Sequence, residues 1–194
     1  MNPKLRCTAF LVVLLFVPSV KLSQAQVVPS AYVRTLSITG GGLGSAFQPD
    51  YEGSLVAKSA PNYLFGFGAY TDVHFSRWLE LEAEGRWLRF NQFENIHEDN
   101  YLLGYEHHFD RQRFFGFTPY AKVLVGYGTM NFEFNDAHGR FTDIAYGGGL
   151  DVRTHGRFVL RPVDFEYQQW PNWLNSSLHP YGFSAGIGYR FLGR

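Results

Sequence analysis

In the segment at 78–87, WLELEAEGRW, every second residue from Glu80 to Glu84 is a glutamate and the residues between them are apolar. A period of two residues places alternate side chains on opposite faces of a β-strand, whereas on a helix the glutamates would spread around the axis. This segment is therefore predicted to be a strand with one charged face and one apolar face. The charged side holds Glu80, Glu82 and Glu84, and the apolar side holds Leu79, Leu81 and Ala83.

The same alternation recurs along the chain and predicts an all-β protein. Short aromatic and β-branched runs are separated by Gly, Pro, Asn and Asp, which is typical of strands and their connections. Most of the predicted strands are longer than the five or six residues usual in soluble sheets, and they reach the length of about 9–11 residues that crosses a bilayer. The predicted strands lie at 31–42, 62–75, 77–91, 99–110, 116–131, 141–154, 157–170 and 180–191.

The two faces of these strands differ in a way that favours a membrane barrel. One face is aromatic and aliphatic, as in Phe183, Ile187 and Phe191, while the other mixes glycine with charged residues, as in Gly186 and Arg190. Glycine next to long charged side chains suits a narrow, crowded interior. Because an open sheet edge would leave unpaired backbone groups in hydrocarbon, the strands must close. We therefore predict an eight-stranded antiparallel up-and-down transmembrane β-barrel with Leu79, Leu81 and Trp87 facing lipid.

The connections and the aromatic residues support this architecture. Short connections, such as HG at 155–156, alternate with long ones, such as 43–61, and this is the pattern of barrels with short periplasmic turns and long outer loops. Aromatic residues near strand ends are typical of interfacial belts. They are Tyr63, Phe75, Trp78, Trp87, Phe90, Tyr101, Phe109, Phe117, Phe158, Tyr167, Trp170 and Tyr189.

The N-terminus has the features of a signal peptide. Lys4 and Arg6 precede an apolar run of about ten residues, and the small residues Ser23 and Ala25 form a cleavage motif. Cleavage after Ala25 would leave a single barrel domain at 26–194 and would remove Cys7, the one cysteine of the chain. It would also remove three of the 17 basic residues and no acidic residue, so the mature chain would be slightly acidic and no nucleic-acid partner is expected.

Alternation also predicts a charged barrel interior. Opposite charges in a low-dielectric interior must pair or be hydrated, so the main interpretation is a salt-bridged lumen that fixes the barrel and blocks flow. The alternative is a narrow pore that prefers cations, since the predicted acids outnumber the bases. Arg161 joins this set if Pro162 marks a bulge. The predicted interior residues are Asp72, Glu80, Glu82, Glu84, Arg86, Glu106, Lys122, Asp151, Arg153, Asp164, Glu166 and Arg190.

No metal site, cofactor or catalytic residue is predicted. His107 and His108 are adjacent, so on a strand they face opposite sides, and IHED at 96–99 reads as an ordinary polar loop. Ser177 and His179 lie two residues apart in a predicted loop. Barrel deacylases of lipid A instead place His and Ser two apart on one strand face, in the order His-x-Ser, which does not occur here.

The last predicted strand and the chain as a whole resemble a known family. In FSAGIGYRF, the residues Ser184, Gly186, Tyr189 and Phe191 fit the outer-membrane assembly signal, although LGR follows the final aromatic. Stretches such as GFGAYTDVHF, EAEGRWLRFN, FTPYAKVLVGYGTMNF and LRPVDFEYQQWP, spread over most of 47–191, resemble the OmpA/OmpX-type eight-stranded outer membrane barrels of a single domain, without a peptidoglycan-binding domain.

The resemblance implies a location in the cell outer membrane and several partners, but no single activity. Outer membrane lipid surrounds such barrels, and the barrel-assembly machinery inserts them. The long loops carry Phe47, Trp170, Trp173 and Tyr181, which either bind an extracellular ligand or pack over the barrel mouth. The leading hypothesis is a non-enzymatic structural or interaction barrel. The alternatives are a narrow cation-preferring, porin-like channel and a lipid-modifying enzyme at the rim.

Overall fold

The computed structural model describes residues 36–50, 63–76, 79–91, 97–109, 116–132, 137–154, 156–173 and 176–193. The predicted signal peptide with Ser23 and Ala25 lies outside these residues. Within them, no helix is long and apolar enough to cross a membrane. The strands are β1 (Ser37–Gln48), β2 (Leu64–Ser76), β3 (Leu79–Phe90), β4 (His97–His108), β5 (Phe117–Phe132), β6 (Ala137–Arg153), β7 (Phe158–Trp173), β8 (Ser176–Leu178) and β9 (Tyr181–Leu192).

Eight of these strands close into an antiparallel barrel, as the sequence predicts. Each strand from β1 to β7 pairs with the next, β7 pairs with β9, and β9 returns to β1. At the closing seam Gly44 pairs with Ala185 and Phe47 with Gly182. The three-residue strand β8 pairs only with the C-terminal end of β7 and is not part of the barrel. Closure satisfies the backbone of every barrel strand and leaves no sheet edge facing lipid.

Exposure alternates along the strands with the predicted period of two. In β3 the residues Glu80, Glu82, Glu84 and Arg86 are buried, while Leu79 on the other face is exposed. The outward faces of the other strands are likewise aromatic or aliphatic. Exposed examples are Phe67, Leu103, Val125, Tyr146, Phe165 and Ile187.

The first barrel strand begins later than predicted, at Ser37 rather than near 31, and it continues through the glycine run at 40–42. Among these glycines the space for a side chain is smallest at Gly41. A Cβ at Gly41 would lie 2.5 Å from a ring carbon of Tyr70 and 2.6 Å from the backbone oxygen of Ile187. Tyr70 of β2 pairs with Gly41 and points into the barrel, so its ring packs over the glycine. The strand also ends later than the predicted residue 42, since it runs on to Gln48.

The strand β7 contains an irregularity next to Pro162. Its register with β9 shifts between Arg161 and Asp164, and the register of β6 with β7 shifts between Leu150 and Val152. Proline cannot donate a ladder hydrogen bond, so it is tolerated at such a bulge. As a result both Arg161 and Asp164 are buried inside the barrel although they are three residues apart.

The connections divide the barrel into two ends. The terminal end, where β1 begins and β9 ends, carries the connections 77–78, 109–116 and 154–157. The loop end carries 49–63, 91–96, 133–136 and 174–180. The predicted strands 116–131 and 141–154 leave a long loop at 132–140, and this prediction is wrong. In the structure β5 and β6 remain paired as far as Phe132 and Ala137. That extended hairpin replaces most of the expected loop.

Candidate functional site in the barrel interior

The barrel interior concentrates charge. Among the described residues, three permanently charged cations are buried: Arg86, Lys122 and Arg161. Ten carboxylates are buried with them, and the two groups together are called the interior charge network below. Because the carboxylates outnumber these cations, protons, histidine or bound cations must balance the remainder. The carboxylates belong to Asp72, Glu80, Glu82, Glu84, Glu98, Glu106, Asp143, Asp151, Asp164 and Glu166.

Arg161 forms the centre of the network nearer the terminal end. Its guanidinium donates to Glu82 Oε2 at 2.9 Å, to Asp151 Oδ1 at 3.0 Å and to Asp72 Oδ2 at 3.2 Å. A weaker contact at 3.4 Å reaches Glu106 Oε2. One side chain of β7 thereby joins β2, β3, β4 and β6 across the barrel.

Two tyrosines enclose the same guanidinium. Arg161 Cζ lies 4.2 Å from the ring centroid of Tyr70 and 4.4 Å from that of Tyr120. Both distances are within the range of a cation–π contact. The arginine therefore fills the cross-section of the barrel together with two aromatic rings, and its side chain has no exposed surface.

Lys122 forms the next layer toward the loop end. Its ammonium lies 2.9 Å from each of Glu82 Oε1, Glu84 Oε2 and Asp164 Oδ2, and 3.3 Å from Glu166 Oε2. An ammonium has three protons to donate, so the three short contacts use its capacity. Glu82 gives one oxygen to Lys122 and the other to Arg161, and it connects the two layers.

Arg86 continues the network to the loop end. It donates to Glu166 Oε1 at 2.8 Å and also contacts Glu84, and its Cζ lies 4.0 Å over the ring of Phe47. Phe47, together with Leu64 and Leu88, forms a buried apolar cluster there. The charged interior thus gives way to apolar side chains near the loop end.

Trp170 lies inside the barrel and not in the interfacial belt that the sequence predicts. It is fully buried, its ring stacks on Phe141 at a centroid distance of 5.9 Å, and its Nε1 donates to Gln168 Oε1 at 3.2 Å. A Cβ on Gly128 would lie 2.6 Å from Trp170 Cη2, so the glycine makes room for the indole. Phe47 and Trp170 therefore pack within the barrel, whereas Tyr181 is exposed on its outer face.

A histidine-containing cluster occupies the terminal end. His108 Nδ1 lies 3.0 Å from Glu80 Oε2 and His108 Nε2 lies 3.1 Å from Asp151 Oδ2. His74 Nδ1 lies 3.2 Å from the other oxygen of Glu80, and the two imidazole rings are 5.2 Å apart. His107, the neighbour of His108, faces outward beside Tyr105 and Phe109, as alternation predicts.

Of the twelve residues predicted to line the interior, ten are buried there. Two lie apart from the buried set: Arg153 is exposed at the last position of β6, beyond the register shift between Leu150 and Val152, and Arg190 of β9 is half-buried. Arg161 belongs to the network because of the bulge at Pro162. Both placements follow from strand ends and bulges, where simple alternation fails.

Several interior residues escape the sequence analysis. Glu98 is fully buried, because β4 begins at His97 and the segment 97–99 belongs to a strand and not to a loop. Asn100 donates to Asp143 Oδ2 at 2.9 Å and to Gln168 Oε1 at 3.2 Å, which forms a polar layer beside Trp170. Extending the alternation of β4 backward from Glu106 would have placed Asn100 and Glu98 inside. Asp143 lies within the predicted strand 141–154 on the same face as Asp151, so the same alternation would have placed it inside.

The predicted loop residues Ser177 and His179 do contact each other. Ser177 Oγ lies 3.2 Å from His179 Nε2, and the other ring nitrogen lies 2.9 Å from the hydroxyl of Tyr167. The carboxylate of Asp50 accepts a hydrogen bond from the backbone N–H of His179 and not from its ring. The arrangement is therefore a serine–histidine pair at the loop end, and the hydroxyl of Tyr167 contacts the second nitrogen of the histidine.

The outer surface carries aromatic residues in adjoining strands. Phe67, Trp87, Tyr101 and Tyr127 follow one another around the barrel with centroid distances of 5.7, 6.2 and 5.3 Å. Trp87 Nε1 also donates to the hydroxyl of Tyr101 at 3.0 Å. Rings with an apolar body and a polar tip are suited to the boundary between hydrocarbon and headgroups.

The residues of the predicted assembly signal all lie in β9. Ser184 points inward and its hydroxyl lies 2.8 Å from that of Ser45 across the closing seam. Gly186 pairs with Leu43 of β1. Tyr189 and Phe191 face outward with ring centroids 5.3 Å apart, and Phe191 is 62% exposed. The two aromatic side chains are therefore on the surface of the terminal strand.

A closed barrel of long strands, with an apolar aromatic exterior and a charged interior, defines a transmembrane β-barrel. A model of the outer membrane protein beta-barrel domain matches residues 10–191, and the chain belongs to that family. It is therefore a protein of the cell outer membrane. No curated protein sequence matches it.

Solved structures agree in fold. Neisserial surface protein A (NspA) aligns with a TM-score of 0.57 at 11% identity, covering 81% of this chain and 97% of that one. OprG of Pseudomonas aeruginosa aligns with a TM-score of 0.55 at 11% identity and the same coverage. The N-terminal barrel of Pseudomonas aeruginosa OprF aligns with a TM-score of 0.54 at 15% identity, covering 80% and 97%. At these identities the likeness shows the fold alone.

Proposed function

We propose that this barrel is a non-conducting, non-enzymatic protein of the outer membrane with a structural or interaction role. The observation that carries the proposal is the burial of Arg161, Lys122 and Arg86 across successive layers of the interior, each without exposed side-chain surface. A pore would keep such groups beside a water-filled path. Here the three cations instead pair with carboxylates from other strands, and these ion pairs span the interior.

The loop end is the side that we expect to face the exterior, since barrels of this type place their termini and short turns in the periplasm. Apolar packing of Phe47 and Trp170 inside the mouth supports a sealed outer end. The exposed aromatic residues Tyr63, Phe90 and Tyr181 supply a rim on which a surface partner could be held. Interaction through this rim and the outer loops is the role that we assign to the chain.

Single-channel recording in a planar bilayer tests the proposal. The mature protein is inserted after a heat-dependent gel shift has shown that the barrel is folded, and a general porin serves as the positive control. We expect no discrete conductance steps. Cation-selective steps that persist in several preparations would reject the sealed interior and establish the pore interpretation.

The contact of Ser177 with His179 favours a second candidate function, hydrolysis of an acyl ester of a lipid at the rim. A serine is activated when a histidine accepts its proton and a third group orients the ring. Tyr167 occupies that third place, but a neutral phenol stabilises an imidazolium less than a carboxylate does. For this reason the non-enzymatic role remains the proposed one, and the variant Ser177→Ala tests for lipid hydrolysis.

A further inference from the structure

We propose that His74, Glu80 and His108 form a binding site for a divalent transition-metal ion at the terminal end of the barrel. The three residues come from the ends of β2, β3 and β4, which are neighbours in the sheet. Their ligand atoms all lie within 4.8 Å of one another. The ligand class is set by two imidazole nitrogens and a carboxylate, which together suit Zn²⁺ and similar borderline ions.

The distances fit a single bound ion. Glu80 has one oxygen 3.2 Å from His74 Nδ1 and the other 3.0 Å from His108 Nδ1. Zinc binds nitrogen and oxygen ligands at about 2.0–2.2 Å, so neighbouring donors in a tetrahedral site are roughly 3.2–3.5 Å apart. The ligand atoms all lie within 4.8 Å of one another, so side-chain movement would bring the two imidazoles onto one ion. The ion would lie between Glu80 and the two histidines, which contact that carboxylate directly in its absence.

Glu106 offers a fourth ligand from an independent direction. Its Oε1 is buried without a hydrogen bond and lies 3.1 Å from His108 Nδ1. The other oxygen of Glu106 is directed at Arg161, at 3.4 Å. This oxygen therefore faces the same imidazole nitrogen as the proposed ion, and a direct bond to the metal would satisfy it.

The orientation of His108 is also that of a metal ligand. Its Nε2 lies 3.1 Å from the carboxylate of Asp151, which holds the proton on that nitrogen and leaves Nδ1 directed at Glu80. A histidine that binds metal through one nitrogen commonly donates its other N–H to a carboxylate in this way. The backbone N–H of His108 donates to Glu80 at 2.9 Å and fixes the carboxylate as well. The site is therefore supported by groups around its ligands.

The two other carboxylate clusters in the interior differ from this one. Asp72, Glu82 and Glu106 surround Arg161, and Glu84, Asp164 and Glu166 surround Lys122, so protein cations already occupy them. In the His74 cluster Glu80 pairs with two histidines, whose charge depends on protonation. His74 has 17% of its side chain exposed and provides an entry from the terminal end.

Metal binding is measured on the folded, chelator-treated protein by titration with Zn²⁺ in a calorimeter. Visible absorption after addition of Co²⁺ reports whether the coordination is tetrahedral. The variant His74→Asn removes one ligand at a half-buried position, where folding is expected to persist. His107→Asn is the matched control, because it removes a histidine of the same end that faces outward.

We expect one Zn²⁺ per barrel, a loss of at least about tenfold in affinity for His74→Asn and unchanged affinity for His107→Asn. The Co²⁺ form should show the strong absorption of a tetrahedral site, which His74→Asn loses. The proposal is overturned if the folded wild-type protein binds no Zn²⁺, or if His74→Asn binds it as well as the wild type does.

Discussion

A guanidinium nitrogen of Arg161 lies 2.9 Å from a carboxylate oxygen of Glu82, and this contact joins β7 to β3 through the centre of the barrel. The other oxygen of Glu82 accepts from Lys122 at the same distance. One carboxylate thus pairs with two cations, Lys122 of β5 and Arg161 of β7. The central layers of the interior depend on each other for charge balance.

Replacing Arg161 by methionine should destabilise the barrel strongly. The change leaves the carboxylates of Asp72, Glu82 and Asp151 facing one another without their common cation. Removing one partner of a buried ion pair costs about 3–5 kcal/mol. We expect a loss of that size in the free energy of unfolding, measured by urea titration in detergent. Arg157→Met, at an exposed turn position, should change it by less than about 0.5 kcal/mol.

Glu82→Ala separates the structural role of the network from a conducting one. Since Glu82 contacts both Lys122 and Arg161, its loss should lower the free energy of unfolding by about 3–5 kcal/mol without creating conductance. Asp99→Ala, which breaks the partly exposed outward pair with Arg89, should cost no more than about 1 kcal/mol. A Glu82→Ala barrel of normal stability with altered ion selectivity would contradict this expectation.

The sequence predicts the barrel because strand alternation is a property of each segment on its own. The period of two in β3, β5 and β9 places nearly all of their side chains on the correct face. Alternation alone does not place both Arg161 and Asp164 inside. Pro162 indicates the bulge that does so, but the register shift itself depends on both neighbours of β7. The bounds of β1 are also missed, since the strand runs from Ser37 to Gln48 and its second half is fixed by pairing with β9 at the closing seam.

The partners within the interior follow from the closed shape and not from sequence distance. Arg86 and Glu166 are 80 residues apart and form a hydrogen bond of 2.8 Å. Alternation predicts that both point inward, but it does not indicate at which height in the barrel each one lies. That height depends on the stagger of all strands between them. The contact of His108 with Asp151 is not predicted for the same reason, because the relative heights of the two residues are not known from the sequence.

Gly128→Ala tests whether the packing of Trp170 inside the loop end is tight. A Cβ at this position would lie 2.6 Å from Cη2 of the indole and would also overlap Cζ2, and overpacking of this kind costs about 1–3 kcal/mol. Gly42→Ala is the control, because its nearest neighbour would be an ordinary contact at 3.8 Å. The comparison uses urea unfolding, followed by tryptophan fluorescence. Equal stability of the two variants would show that Trp170 can leave the interior at little cost.

Ser177→Ala tests the rim for lipid hydrolysis. If the barrel is non-enzymatic, the wild-type protein and the variant should release the same background amount of fatty acid from vesicles of outer membrane lipid. Mass spectrometry of the lipid products provides the measurement. His107→Asn, at the other end of the barrel, controls for the loss of any histidine. Release by the wild type that is lost in Ser177→Ala would establish the Ser177–His179 pair as catalytic.

Phe191→Ala tests the assembly signal separately from barrel stability. Phe191 is exposed on the terminal strand, so its truncation removes little packing within the protein, but it removes an aromatic group that the assembly machinery is expected to recognise. We expect a lower yield of folded barrel in the outer membranes of cells and unchanged refolding in detergent. Phe183→Ala is the matched control, because Phe183 is 55% exposed on the same face of β9 but lies outside the signal. If both variants reduce assembly in cells equally, the effect belongs to the lipid-facing surface in general and the signal at Ser184, Gly186, Tyr189 and Phe191 is rejected.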